Sequence, residues 1–123
     1  MKIILKLTYL LVLLLATSCS NNVETPLVSN ALPPIFPDYI GVTIPAEIAP
    51  MNFDIAQGVD YQRVDVVIKG GKRGELHINA KRVNFPIKQW RKLLRENLGD
   101  SLQFTVSIKQ GDDWKQYQPF SMY

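Results

Sequence analysis

The sequence predicts a mainly β fold, a small immunoglobulin-like β-sandwich with one short helix, preceded by a signal peptide and a flexible tether. Three observations carry that expectation. Apolar and polar residues alternate in several short runs, most cleanly where Leu102, Phe104, Val106 and Ile108 interleave with Gln103, Thr105, Ser107 and Lys109. One stretch shows helical spacing, with Ile87, Trp90, Leu93, Leu94 and Leu98 on a single face. Six of the eight prolines lie between residues 26 and 50, so compact structure is expected only as that density falls.

The N-terminal segment explains where such a domain would live. Lys2 and Lys6 precede an apolar run from Leu7 to Ala16, and small residues follow, which is the layout of a secretory signal peptide over residues 1–18. A run of ten residues falls well short of the roughly twenty that span a bilayer as a helix. Leu15-Ala16-Thr17-Ser18-Cys19 resembles a bacterial lipobox, although Leu15 stands one position farther from the cysteine than that pattern prefers. The resemblance implies lipidation of Cys19, a diacylglyceryl thioether together with an acylated amino terminus. Each buried methylene contributes about 0.8 kcal/mol, so several acyl chains form a lasting anchor. Ser20 after the cysteine points, by analogy with enteric sorting rules, to the outer membrane of the cell envelope. Residues 20–24 carry no acidic cluster of the kind associated with export to the surface, which leaves the membrane face open.

Processing changes the charge balance. Loss of Lys2 and Lys6 takes the basic count from 14 to 12 against 11 acids, and the net charge from +3 to +1. No nucleic-acid partner is expected at that charge. The single Cys excludes an internal disulfide, a Cys-rich zinc site and an iron–sulfur cluster, and the single His excludes multi-histidine metal sites. Neither a metal nor a cofactor is expected.

Residues 19–38, with Pro26, Pro33, Pro34 and Pro37, read as an extended tether, and residues 39–123 as the folded domain. Ile40, Val42 and Ile44 suit a short half-buried strand, and Met51, Phe53 and Ile55 alternate again. Val64, Val66 and Ile68 share one strand face opposite Arg63, Asp65 and Lys69, while Leu76, Ile78 and Ala80 oppose Glu75, His77 and Asn79. Bringing both apolar sets to one side requires an odd loop, Gly70 to Lys72 or Lys69 to Arg73, with Val66 beside Leu76 and Asp65 beside His77. Pro86 suits the first turn of the helix and Gly99 its C-terminal cap. A turn at residues 110–113 leads into a return strand from Trp114, and the strand-like ending at residues 120–123 suggests a truncated reading frame or the first module of a longer chain.

The segment Phe36-Pro37-Asp38-Tyr39-Ile40-Gly41-Val42-Thr43-Ile44-Pro45-Ala46-Glu47-Ile48-Ala49-Pro50-Met51-Asn52-Phe53, with the later Trp114-Lys115-Gln116-Tyr117-Gln118-Pro119-Phe120, resembles the start of a family of large bacterial cell-envelope lipoproteins. In that family a small β-rich module precedes a TolB-like β-propeller, which is not among these 123 residues. The resemblance implies an envelope location and carries over no catalytic residue.

Catalytic signals are weak. His77 with Asp65 supplies two members of a triad and no nucleophile, and no Gly-x-Ser-x-Gly elbow occurs. A cross-strand polar pair accounts for both residues. Lys69-Gly70-Gly71-Lys72-Arg73 lacks the spacing of a phosphate loop and joins two strands, so it reads as a solvated hairpin tip. Lys88, Arg91, Lys92 and Arg95 fall at i, i+3, i+4 and i+7, either a solvated helix face or a contact for an anionic surface. Tyr61, Trp114 and Tyr117 are candidates for a glycan platform, with core filling as the plainer use of such rings. The expected function is a non-catalytic, lipid-anchored envelope module that docks or positions a partner protein or a following domain. Glycan binding through surface aromatics is the alternative.

Overall fold

The computed structural model describes residue 23, residues 26–45 and residues 47–123. The signal segment of residues 1–18 and the lipidation candidate Cys19 lie outside the described residues. The fold is mainly β: among the described residues strands take 37% and helix 10%, arranged as two open sheets and one helix in a small β-sandwich. In chain order the elements are β1 (Leu27–Val28), β2 (Ile35–Phe36), β3 (Asp54–Ile55), β4 (Arg63–Gly70), β5 (Glu75–Ala80), α1 (Ile87–Glu96), β6 (Leu102–Gln110), β7 (Asp113–Gln116) and β8 (Phe120–Met122).

The main sheet runs β1-β7-β6-β4-β5, and β8 pairs with the first half of β6 while β7 pairs with its second half. All pairings are antiparallel except β1 with β7. Strands β5 and β6 flank β4 from opposite sides and therefore run parallel to each other. Joining them requires a crossover, and α1 is that crossover. A two-stranded ribbon, β2 with β3, forms the second sheet.

Period-two alternation sorts the main sheet into two faces. Val64, Val66 and Ile68 stand in register with Ala80, Ile78 and Leu76 on one side and with Ile108, Val106 and Phe104 on the other, and this inner face is the core. Five aromatic rings tie the layers together. Phe53, just before β3, meets Phe85, Phe104 and Phe120 edge-on at centroid distances of 5.9, 6.5 and 6.4 Å. Phe85 stacks on Trp90 of the helix at 5.1 Å, and Phe104 on Phe120 at 5.0 Å. Each fully buried ring contributes about 1.5–3 kcal/mol by burial alone. The Trp90 indole nitrogen donates to the Ile48 carbonyl at 3.1 Å, so its polar edge is satisfied.

Four expectations need correction. The tether is shorter than residues 19–38: β1 already pairs with β7 at Leu27, Gln118 N donates to the Ala31 carbonyl, and Pro33 and Ile35 are buried. The run from Tyr39 to Ile44 keeps its half-buried alternation without becoming a regular strand. It bonds instead to the far end of the chain, through Gly41 N to Ser121 O, Tyr123 N to Val42 O and Ile44 N to Tyr123 O. Ile87 and Leu98 are 53% and 50% exposed, and only Trp90, Leu93 and Leu94 form the buried helix face. The hairpin loop is odd, as parity demands, but it centres one residue later, on Gly71 to Arg73, so Val66 pairs with Ile78 and Asp65 with Asn79.

The cause of that shift is Asn97, a buried residue just past α1. Its Oδ1 accepts from Lys72 N (2.8 Å) and Arg73 N (3.1 Å), and its Nδ2 donates to the carbonyls of Arg73 and Leu93, each at 2.8 Å. Gly70 and Gly71 serve close approach, because a Cβ on either would run into Asn97 or Asp100. The positive backbone angle falls to Gly74 at φ +84°. Lys72 Nζ also donates to the Leu98 carbonyl near the helix C-terminus, so the loop is held against the helix rather than left as a free tip.

Candidate functional site

The outer face of the main sheet carries the densest set of polar side chains. It is built from the residues that alternate with the core: Asp65 from β4, His77 and Asn79 from β5, Ser107 from β6. Arg63 Nε donates to Asn79 Oδ1 at 3.0 Å and its guanidinium also to the Asn79 carbonyl at 3.1 Å. Asn79 Nδ2 donates to Asp65 Oδ1 at 3.0 Å, and His77 Nε2 hydrogen-bonds to the same oxygen. Asp65 is 5% exposed and its Oδ1 takes both of these bonds, whereas the His77 side chain is 52% exposed. The result is a rigid donor–acceptor row across two strands with an imidazole at its open end.

His77 reaches Asp65 from a diagonal position, since Val67 is its direct partner. The contact expected from the sequence forms, in a register two residues away. Ser107 is buried and stands directly across from Asp65 on the other side. The acid therefore lies between hydroxyl and imidazole, on strands two spacings apart, roughly 9–10 Å. A nucleophile needs its base within hydrogen-bond reach, about 2.6–3.2 Å. The row can orient a bound group; it is not arranged for acyl transfer. Among the described residues, no group of three or more His, Cys, Asp or Glu side chains is placed to hold a metal.

The three candidate glycan rings are not brought together. Trp114 pairs with Lys109 and so belongs to the outer face. Tyr117 continues the pairing opposite Val106, through its N–H to the Val106 carbonyl, and enters the core. Both are only 5% exposed, and Tyr61 packs half-buried against the core. Residues three apart in a strand face opposite ways, which was visible in the spacing of Trp114 and Tyr117.

Lys88, Arg91, Lys92 and Arg95 are all exposed on the side of α1 away from its buried residues. None of the four makes a hydrogen bond or ion pair with another described side chain. Arg95 lies in the last turn, where the helix dipole favours a cation, but Lys88 lies in the first turn, which holds no acid and has no side-chain cap. Like charges at i, i+3 and i+4 each cost about 0.2–0.5 kcal/mol, so the stripe opposes folding. Sequence reasoning found the stripe and the His77–Asp65 pair; it passed over Asn79, Arg63 and Asn97, whose roles depend on register and loop placement.

No protein-family model, curated protein or solved structure matches this chain. Among the described residues, no helix is long and apolar enough to cross a membrane.

Proposed function

We propose that this chain is a non-catalytic, lipid-anchored module of a bacterial cell envelope, held at the outer membrane through Cys19, that docks a partner protein on the outer face of its main sheet. The observation that carries the docking reading is the Arg63–Asn79–Asp65–His77 row. A hydrogen-bonded row on paired strands has lost its conformational freedom before any partner arrives, so less entropy is spent on binding. The separation of Ser107 from His77 by Asp65 favours recognition over hydrolysis. Anchoring rests on Leu15-Ala16-Thr17-Ser18-Cys19, and the resemblance to propeller-bearing envelope lipoproteins points the same way.

Two measurements test this reading. Labelled palmitate should enter the chain in a living Gram-negative host, and Cys19→Ala should abolish the label and release the chain from sedimenting envelopes. A photo-crosslinking residue at Glu75, exposed beside the row, should trap one discrete envelope protein, and Asp65→Ala should remove that adduct. Unlabelled chains that still sediment would overturn the anchor. A Glu75 adduct indifferent to Asp65→Ala would overturn the docking face.

A further inference from the structure

The basic side of α1 is used by nothing else in the described molecule, and its arrangement works against the fold that carries it. Four cations crowd one side of a ten-residue helix, one of them at the end where the dipole disfavours positive charge. All are exposed, and none is neutralised by a described partner. Ile87 and Leu98, each about half exposed, lie at the two ends of the stripe. The apolar side of α1 is spent on the core, so what the helix offers outward is a cluster of Lys and Arg, the feature that attracts anionic lipid headgroups.

We propose that the outward side of α1, through Lys88, Arg91, Lys92 and Arg95, rests on anionic phospholipid headgroups of the membrane that holds the chain. The inference rests on the anchoring read at Cys19. The covalent geometry permits both attachments together. Eight peptide steps separate Cys19 from Leu27, where pairing with β7 begins, and at about 3.3–3.6 Å per residue they reach roughly 26–29 Å. With α1 flat on the surface, the helix diameter of about 10–12 Å and the spacing of packed layers, about 10 Å, put the sheet no more than roughly 20 Å above it. The tether spans that height. Ile87 and Leu98 then meet the headgroup boundary, and the outer sheet face, on the opposite side of the core, points away from the membrane toward a partner.

The test is amine footprinting of the full chain recovered from envelopes and placed in vesicles, read residue by residue by mass spectrometry. In vesicles with about 30 mol% phosphatidylglycerol, Lys88 and Lys92 should react at least about fivefold more slowly than in pure phosphatidylcholine, given roughly a fivefold gain per surface cation. Lys69, exposed on the outer face, should change less than about twofold. The protection should vanish in about 1 M salt, where the screening length falls to about 3 Å. The double variant R91Q/R95Q keeps both reporter lysines and should lose most of the protection. Buried Trp90 emission checks that the variant is folded, and the salt arm probes the same contact without any substitution. Equal reactivity in the two vesicles would overturn the proposal. So would protection that survives salt or R91Q/R95Q, or that soluble glycerol phosphate reproduces without vesicles. These readouts compare lipids at a single anchoring state, so a failed Cys19 anchor, seen as absent palmitate label, is distinguishable from a failed helix contact.

Discussion

The two faces of the main sheet are made from the same strands and differ by one residue of phase. On the inner face, Val64, Val66, Ile68, Phe104, Val106 and Ile108 are all fully buried in a core that also holds Phe53, Phe85, Trp90 and Phe120. On the outer face, Asp65, His77 and Asn79 hold one another in a hydrogen-bonded row. Apolar contact is non-directional, so many side chains of the right volume would serve the first face. The second depends on which atom meets which. Non-directional packing and directional hydrogen bonding are thereby separated by the pleat, and the outer row can be changed without touching the inner core.

The strongest way to break this comparison is at Phe104, whose ring meets Phe53, Phe85 and Phe120. Phe104→Ala removes buried surface and leaves a cavity that three layers cannot close together. The expected loss is about 3–5 kcal/mol in urea unfolding. A loss below about 1 kcal/mol would mean that the inner face does not dominate stability.

Asn97 sharpens the comparison as its exception, a polar side chain buried on the core side. It is tolerated there because its amide is satisfied by four partners, three of them in the hairpin loop. Asn97→Ala orphans those backbone groups, some of which water can reach, and the expected loss is about 2–3 kcal/mol. Hydrogen exchange at Lys72 and Arg73 should accelerate with it. Unchanged exchange would show that the loop holds its shape without the helix.

How legible all this was follows from what each signal encodes. Alternation in the runs around Val66, Ile78 and Val106 shows which side chains go inward, because parity is local. It is blind to a two-residue slip, since sliding β5 by two preserves every inward face. The slip was decided by Asn97, twenty-four residues beyond Arg73, and no local pattern announces that contact. Gly70-Gly71 looked like the glycines of positive backbone angle, yet they admit a neighbour and Gly74, just past the loop, takes that angle. The proline-rich stretch read as tether because edge pairing by two residues, Leu27 and Val28, leaves no period to detect. Of the candidate sites, the His77–Asp65 contact and the basic stripe were legible from spacing alone. The aromatic platform was not supportable, because Trp114 and Tyr117 differ in parity.

The smallest expected effect lies in the outer row itself. Asp65 is buried and receives bonds from Asn79 and His77, so Asp65→Ala removes both bonds and a buried side chain and should cost about 1–2 kcal/mol. His77 is half exposed and water replaces its lost contact, so His77→Ala should cost at most about 0.5 kcal/mol. The double variant should cost nearly what Asp65→Ala costs alone, with a coupling of about 0.2–1 kcal/mol between the two sites. A coupling of that size is what an ordinary cross-strand polar pair contributes, so the outer row adds little to the fold and its role is read from the Glu75 crosslink instead. A coupling above about 2 kcal/mol would return the pair to the scaffold. The distinction between the two faces would then be one of residue type rather than of role.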